Sequence, residues 1–199
     1  MHPNPLFRSD DRAALERLIG AIGFGEIFLT TPEGPRVAHT PLLQSGPDRL
    51  QFHLSLGNAL TRHLDGATAL AVVNGAHGYV SPRWYDNRDT VPTWDYVTIE
   101  LEGPIRRMDY SETESLLHAL IDREEGRLGG ERWSAEEKSP DGWDRLAGMI
   151  RGFEMDIAHW RPTFKLSQKL SAAERKNIAE RHRDAGNPRL AEAMAELCA

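Results

Sequence analysis

Of the 199 residues only one, Cys198, is a cysteine. A lone thiol closes no disulfide within the chain and assembles no thiolate metal site by itself. Long apolar runs are missing as well: the longest, Ala69 to Val73, has five residues, against the roughly 20 that a bilayer-spanning helix needs. Basic charge is not in excess. Lys and Arg number 24 against 30 Asp and Glu, a net charge of −6, which argues against a nucleic-acid-binding surface spread over the whole molecule. Several chemistry-bearing signatures are also absent. There is no G-x-x-x-x-G-K-[ST] phosphate loop, no G-x-S-x-G nucleophile elbow and no H-E-x-x-H pair, and Gly23-Phe24-Gly25 lacks the third glycine of a dinucleotide turn. The eight histidines show no ligand spacing, so no metal site is expected.

What is present is the composition of one globular domain, 40% hydrophobic and 27% charged, with enough Gly and Pro (17 and 12) for many turns. Met1-His2-Pro3-Asn4-Pro5 has no basic segment leading into an apolar stretch, and a cytoplasmic, membrane-free protein is expected. Residues 165–199 carry seven Lys/Arg against five Asp/Glu, a mildly basic tail on an acidic body. Its plain reading is a solvated mixed-charge helical surface.

Periodicity sets the element pattern. Ser9-Asp10-Asp11 opens a helix in which Ala14, Leu15, Leu18, Ile19 and Ile22 share a face, and Gly23 stops it. Three strands joined by tight turns follow, over 26–31, 36–43 and 50–55. In the second, Val37, His39, Pro41 and Leu43 face one side and Ala38, Thr40 and Leu42 the other; in the third, Leu50, Phe52 and Leu54 alternate with Gln51, His53 and Ser55. A short helix over 57–64 and a buried strand over 67–74 come next. The strand over 93–107 turns Val97, Ile99 and Leu101 to one side and Trp94, Tyr96, Thr98 and Glu100 to the other. The rest is a helix over 111–127 with Ser111 and Glu114 as a capping box, a polar connector over 129–142, a strand over 152–160, and helices over 171–184 and 188–197. Six short strands, with too little chain between them for repeated crossover helices, predict a mainly β antiparallel barrel with flanking helices. Residues 1–168 are expected to form that barrel domain and its peripheral helices, and 169–199 a C-terminal helical extension.

Two clusters carry chemistry. His77 to Tyr85 packs a histidine, three aromatics, a serine and an arginine into nine positions, and Thr93-Trp94-Asp95-Tyr96 and Phe164-Lys165-Leu166-Ser167-Gln168 add to it. These residues suit an aromatic corner or subunit interface, and equally a flat aromatic ligand held by planar side chains. The second cluster runs from His53 to His63. A strand ending at Ser55 and a helix starting near Asn58, with Arg62 one turn on, predict either a phosphate site or an ordinary N-cap.

Phe7-Arg8-Ser9-Asp10-Asp11, His39-Thr40-Pro41-Leu42-Leu43, His53-Leu54 with Asn58, His77 to Tyr85, Val91-Pro92-Thr93-Trp94 with Tyr96, Gly152-Phe153-Glu154 and Lys165-Leu166-Ser167-Gln168 occur in that order over nearly the whole chain. In these pieces the chain resembles the PaiB family of FMN-binding split-barrel proteins, described as negative transcriptional regulators. The resemblance implies a six-stranded Greek-key split barrel, related to pyridoxamine-phosphate oxidases, that forms a homodimer with FMN at the subunit interface. Carried over by position, His39, Thr40, Pro41 and Leu42 would run beside the isoalloxazine, with His53 on the next strand, and Ser55 and Asn58 would hold the phosphate. Ser81, Trp84 and Tyr85 would form a second wall and Thr93, Trp94 and Tyr96 a third. Lys165, Ser167 and Gln168 would close the site, the lysine offering charge to the phosphate or the reduced flavin. The family pattern has Asn after Thr-Trp where this chain has Asp95, Trp before Lys-Leu-Ser-Gln where it has Phe164, and Asn after it where it has Lys169. A carboxylate near a phosphate is unfavourable unless a cation compensates it.

The regulator role comes from the resemblance alone. The helices over 171–197 carry acids alongside their Arg and Lys residues, which fits regulation through a flavin or small-molecule signal better than direct DNA contact. The alternative is a flavin-dependent oxidoreductase acting on a small molecule, with His39, His53 or His77 as proton donor. A split barrel using haem, or no cofactor, is the third reading.

Overall fold

In the computed structural model, which describes residues 2–197, the helix α1 (Arg12–Ile22) precedes a run of antiparallel strands. These are β1 (Phe24–Thr31), β2 (Gly34–Gly46), β3 (Arg49–Ser55), β4 (Thr68–Val80) and β5 (Thr93–Arg107). Then come α2 (Tyr110–Leu128), α3 (Pro140–Ala147), β6 (Ile150–Asp156), β7 (His159–Lys165), α4 (Ala172–Asp184) and α5 (Pro188–Leu197). The expectation attached to Cys198 lies outside the described residues. No helix among those described is long and apolar enough to cross a membrane.

The strands hydrogen-bond in the order β4-β1-β2-β3-β6-β5-β7, and a further pairing of β4 with β5 joins the two ends of a six-strand ring. Among the described residues seven strands are present where six were expected. The segment read as one strand over 152–160 is two, β6 and β7, and the second continues past Trp160 to Lys165. The chain clusters into two compact units. One holds Glu16–Val73 and Leu101–Trp160; the other holds the chain up to Leu15, Asn74–Glu100 and the chain from Arg161.

Within the first unit, alternation decides what is buried. Ala38, Thr40 and Leu42 of β2 and Leu50, Phe52 and Leu54 of β3 are all buried, as their period of two requires. Phe52 pairs in register with Phe153 of β6, and the two rings stack with centroids 5.6 Å apart. Each fully buried ring contributes about 1.5–3 kcal/mol through lost apolar surface. Gly103 of β5 sits where no side chain fits, because a Cβ there would lie 1.9 Å from the Asp156 carbonyl oxygen.

The helix α2 is fixed at both ends. Its N-terminus is closed by a capping box of Asp109 and Glu112, two residues earlier than the expected Ser111 and Glu114. Near its C-terminus Arg123 donates to the Leu42 carbonyl at 2.6 Å and the Gly23 carbonyl at 3.2 Å. Leu116 and Leu120 pack with Met108 and Leu43. Glu154, buried on β6, accepts from Gln51 Nε2 at 2.7 Å and from Arg106, whose guanidinium also grips Glu112. Burial works to raise the Glu154 pKa, but Gln51 and Arg106 outweigh it and hold the carboxyl below its usual value.

Two local expectations fail for identifiable reasons. Residues 57–64 form a succession of hydrogen-bonded turns instead of a helix, with Asn58, Thr61 and His63 each donating to the carbonyl three residues back. The connector over 129–142 is partly helical, since α3 begins at Pro140 behind Ser139. Ser followed by Pro at the first helical position is a start signal, here masked by the polar residues around it.

Candidate functional site

The residues marked by the sequence fall into two sets, one in each compact unit. In the first unit, Thr40 is buried and its hydroxyl donates to the His53 carbonyl at 2.6 Å, tying β2 to β3. Leu42 also belongs to the buried face, whereas Pro41 and His53 stand on the opposite face of their strands. His39 is exposed, with Nδ1 3.9 Å from Glu26.

Ser55 and Asn58 cap the turn that replaces the expected helix: Ser55 Oγ accepts from Gly57 N–H at 3.3 Å and Asn58 Oδ1 from Leu60 N–H at 2.9 Å. The helix that both the phosphate and the cap readings assumed does not form, and the two side chains bind turn N–H groups instead. Without a helix there is no macrodipole to attract an anion. Arg62, expected beside it, turns to Glu33 at 3.3 Å.

Pro41 and His53 line a cavity of about 510 Å³ closed by α2 and α3, together with Leu120, Ile121, Trp133 and Trp143. Pro41 and His53 were marked by the sequence, but the helical wall opposite them was not, because α3 begins in the segment read as a polar connector. Trp143 is held by α2, its Nε1 donating to Glu114 at 2.9 Å and its ring lying 5.0 Å from that of His118. His53 Nδ1 is cut off from solvent and has no hydrogen-bond partner. Burial pushes its pKa down, so the imidazole is neutral near pH 7.

The second unit gathers the aromatic residues. On β5, Asp95 shares the inward face with Val97 and Ile99 and is 1% exposed, while Trp94 on the outward face is 54% exposed. The Trp94 ring lies 6.1 Å from His77 and 6.3 Å from Tyr79, two β4 residues that belong to no expected cofactor wall. Together these three rings form an aromatic platform. Tyr96 is half-buried on the same face of β5 as Trp94.

Ser81 caps a turn of 3-10 helix over Pro82–Trp84 by accepting from Arg83 N–H. Trp84 in turn packs edge-on against His182 of α4, centroids 5.1 Å apart, and its carbonyl accepts from Asn177 at 2.7 Å. The backbone of β4 passes so close that a Cβ at Gly78 would lie 2.9 Å from His182 Cε1. Burial raises the Tyr85 pKa, reinforced by the Asp95 and Glu174 carboxylates.

Lys165, Ser167 and Asp95 meet at the end of β7. Lys165 Nζ donates to Thr93 Oγ1 at 2.5 Å and to the Trp94 carbonyl, and lies 3.8 Å from Asp95 Oδ1. Ser167 has a left-handed backbone, φ +60°, and its hydroxyl donates to Asp95 Oδ2 at 2.6 Å. Gln168 folds back on its own strand, its amide donating to the Phe164 carbonyl and its Oε1 accepting from Leu166 N–H. Phe164, where the family pattern has Trp, is buried, and Lys169 is exposed with its ammonium 6.0 Å from the Phe7 ring.

Burial pushes the Asp95 pKa up, against the opposing pull of Ser167 and Lys165. Burial likewise pushes Lys165 down, against Asp95. Both groups are thus driven toward their neutral forms by desolvation. The compensating cation that an acid at this position calls for is present in Lys165, with a hydroxyl donor in Ser167.

Comparison with known proteins identifies the family and the fold. Residues 1–159 match the family described as "Putative FMN-binding domain". The chain belongs to this family. Protease synthase and sporulation protein PAI 2 of Bacillus subtilis is 26% identical over 186 residues, covering 87% of this chain and 84% of that one. Among solved structures, the FAD and heme binding protein from Mycobacterium smegmatis superposes with a TM-score of 0.63 at 22% identity, over 84% of this chain and 77% of that one. The flavocytochrome Anf3 from Azotobacter vinelandii gives 0.53 at 18% identity, over 81% and 74%. The FMN-binding-domain family and the antiparallel architecture together establish the split-barrel fold, in agreement with the sequence-based expectation.

Proposed function

We propose that this protein binds a flavin of the FMN type as a homodimer and acts as a negative regulator of the PaiB kind through that bound flavin. The observation that carries the reading is the exposed platform of His77, Tyr79 and Trp94 with the Lys165 ammonium held beside it by Thr93 and the Trp94 carbonyl. Exposed aromatic rings in this density mark an interaction surface. They fit a flat isoalloxazine, and a second copy of the chain covering the same rings accounts for their exposure. When bound, the flavin would supply two-electron and one-electron redox chemistry. The chain's own contribution is to stack the ring on Trp94, to set an ammonium near its polar edge, and to keep Asp95 shielded behind Ser167 and Lys165.

The ring has a better-formed partner than the phosphate. Ser55 and Asn58 already cap their own turn, so their remaining donor hydrogens, the hydroxyl and the amide, are what they offer to an anion. On the family pattern Ser81, Trp84, Tyr85, Tyr96 and Gln168 are assigned to the walls and supports of the ring site in the second unit. Mixed charge on α4 and α5 favours control through the flavin over direct DNA contact. The oxidoreductase reading draws on His77, an imidazole 6.1 Å from the Trp94 ring and suited to proton transfer. Relatives named for FAD and heme make the choice of ring compound part of the test.

Titration of the purified protein with FMN, FAD and haem, followed by absorbance and flavin fluorescence, decides the matter. Saturable binding of FMN, weakened about tenfold or more in Trp94→Ala through loss of stacking, is expected. Absence of saturable flavin binding refutes the reading, and turnover of NADH or NADPH by the loaded protein moves it to the oxidoreductase class.

A further inference from the structure

His182 is a buried ionisable group that the flavin reading does not use. It sits in the last turn of α4, 2% exposed, and its Nε2 is sealed from solvent without a hydrogen-bond partner. Around it the C-terminal helix pair fastens to the end of β4. The ring packs edge-on against Trp84, Asn177 of α4 donates to the Trp84 carbonyl at 2.7 Å, and Asn187, just ahead of α5, donates to the His77 carbonyl at 2.8 Å. At Gly78 the fit leaves no space for a methyl group, since a Cβ there would lie 2.9 Å from both His182 Cε1 and Leu190 Cδ2.

An imidazolium carries a proton on each nitrogen. Protonation of His182 would therefore bury a charge, and on Nε2 a donor, that nothing in the closed contact can bond. Among the described residues no charged side chain is turned toward it to compensate. His77 and Tyr79 of β4 are exposed beside Trp94, Arg83 of the 3-10 turn bonds Ser81, and Arg189 and Glu192 of α5 and Arg181, Arg183 and Asp184 of α4 are exposed. Burial alone pushes the His182 pKa down, although the C-terminal end of a helix favours a cation. The charged ring needs water around it, and water enters only where the helix pair parts from β4. We propose that His182 is the pin of an acid-released clasp: neutral, it lets α4 and α5 close on β4 and Trp84, and protonated, it frees them. In the flavin reading Trp84 is a wall of the ring site, so the clasp would make ring binding depend on pH; that consequence rests on the flavin reading, and the clasp itself does not.

A lowered pKa means that the closed form binds the proton less tightly than the open one. The clasp is therefore complete above about pH 6.5, the value of a free histidine, and weakens by up to about tenfold per pH unit as pH falls toward the closed-form value. Hydrogen exchange of the full chain, read by mass spectrometry and corrected for the intrinsic pH dependence of amide exchange, measures the opening locally. Between about pH 6.5 and about pH 5, protection of residues 172–197 is expected to fall about tenfold while β3 stays protected. His182→Leu, which cannot charge, should lose less than about twofold over the same range. Gly78→Ala wedges the same contact with a methyl group and should open the helix pair near neutral pH. Helix protection that is flat with pH in the unaltered protein overturns the proposal, and needs no variant to fold. A fall shared equally by β3 is general acid unfolding and overturns it too, as does the same fall in His182→Leu. Full helix protection in Gly78→Ala refutes the close contact on which the clasp depends. Failure of the FMN titration alone refutes the flavin reading and leaves this one standing.

Discussion

Replacing Asp95 with asparagine isolates the consequence of burying a carboxylate on β5. In the native protein Oδ2 accepts from Ser167, Oδ1 has no hydrogen-bond partner, and the residue is 1% exposed. Burial raises its pKa above the ordinary 3.8 in spite of Ser167 and Lys165. A raised carboxyl pKa means that the folded state holds the proton more tightly than the unfolded state. Its contribution to stability is therefore complete below about pH 4 and is lost as pH rises through the folded-state value. Asparagine keeps the shape and an oxygen for Ser167 but has no charge to desolvate. The stability of Asp95→Asn relative to the native protein should therefore rise with pH, by no more than about 1.4 kcal/mol per pH unit. The total gain between about pH 4 and about pH 8 should be about 1–3 kcal/mol, the cost of a buried polar group left unsatisfied. Urea unfolding at a series of pH values, with protomer concentration fixed because a dimer would couple to it, measures the difference directly. A difference that is flat across that range, or that falls as pH rises, refutes the argument that desolvation dominates at Asp95.

Gly103→Ala places a methyl group 1.9 Å from the Asp156 carbonyl oxygen; the backbone must shift, and a loss of about 1–3 kcal/mol or more in urea unfolding is expected. Native stability in this variant would show that β5 and the end of β6 do not approach so closely. Glu154→Ala removes the shared acceptor of Gln51 and Arg106. Because Arg106 keeps Glu112 and is partly exposed, the expected loss is about 1–3 kcal/mol, with Glu154→Gln losing less. Equal losses in the two variants, seen in the urea midpoint at unchanged slope, would mean that packing rather than hydrogen bonding holds this position.

Much of the barrel was legible because its strands are buried on one face only. The β5 strand, read as 93–107, carries an unbroken alternation from Asp95 to Ile105 that no helical period reproduces. That same alternation places Asp95 on the inward face with Val97, a signal carried by the sequence itself. The α2 start was misplaced by two residues because Asp109 and Ser111 both stand three residues ahead of a glutamate. Residues 57–64 look helical in composition, yet the Ser55 and Asn58 side chains bind neighbouring backbone N–H groups and favour turns. The Glu154–Arg106–Glu112 network and the cavity at His53 were not legible at all. Both join side chains far apart in the chain, and only the fold decides which of many charged or apolar residues meet.

Ser167 adopts a left-handed backbone that an L side chain enters at a cost of about 1–2 kcal/mol and glycine enters freely. What offsets that cost is its hydroxyl bond to Asp95. The two positions are therefore epistatic: an apolar residue at 95 turns Ser167 from an asset into a defect, and glycine at 167 leaves the buried acid with one donor fewer. A lineage can cross between the acid and the amide at 95 while keeping the serine, because both accept its hydrogen. Replacing either partner alone by a residue without that hydrogen-bonding group gives up the bond.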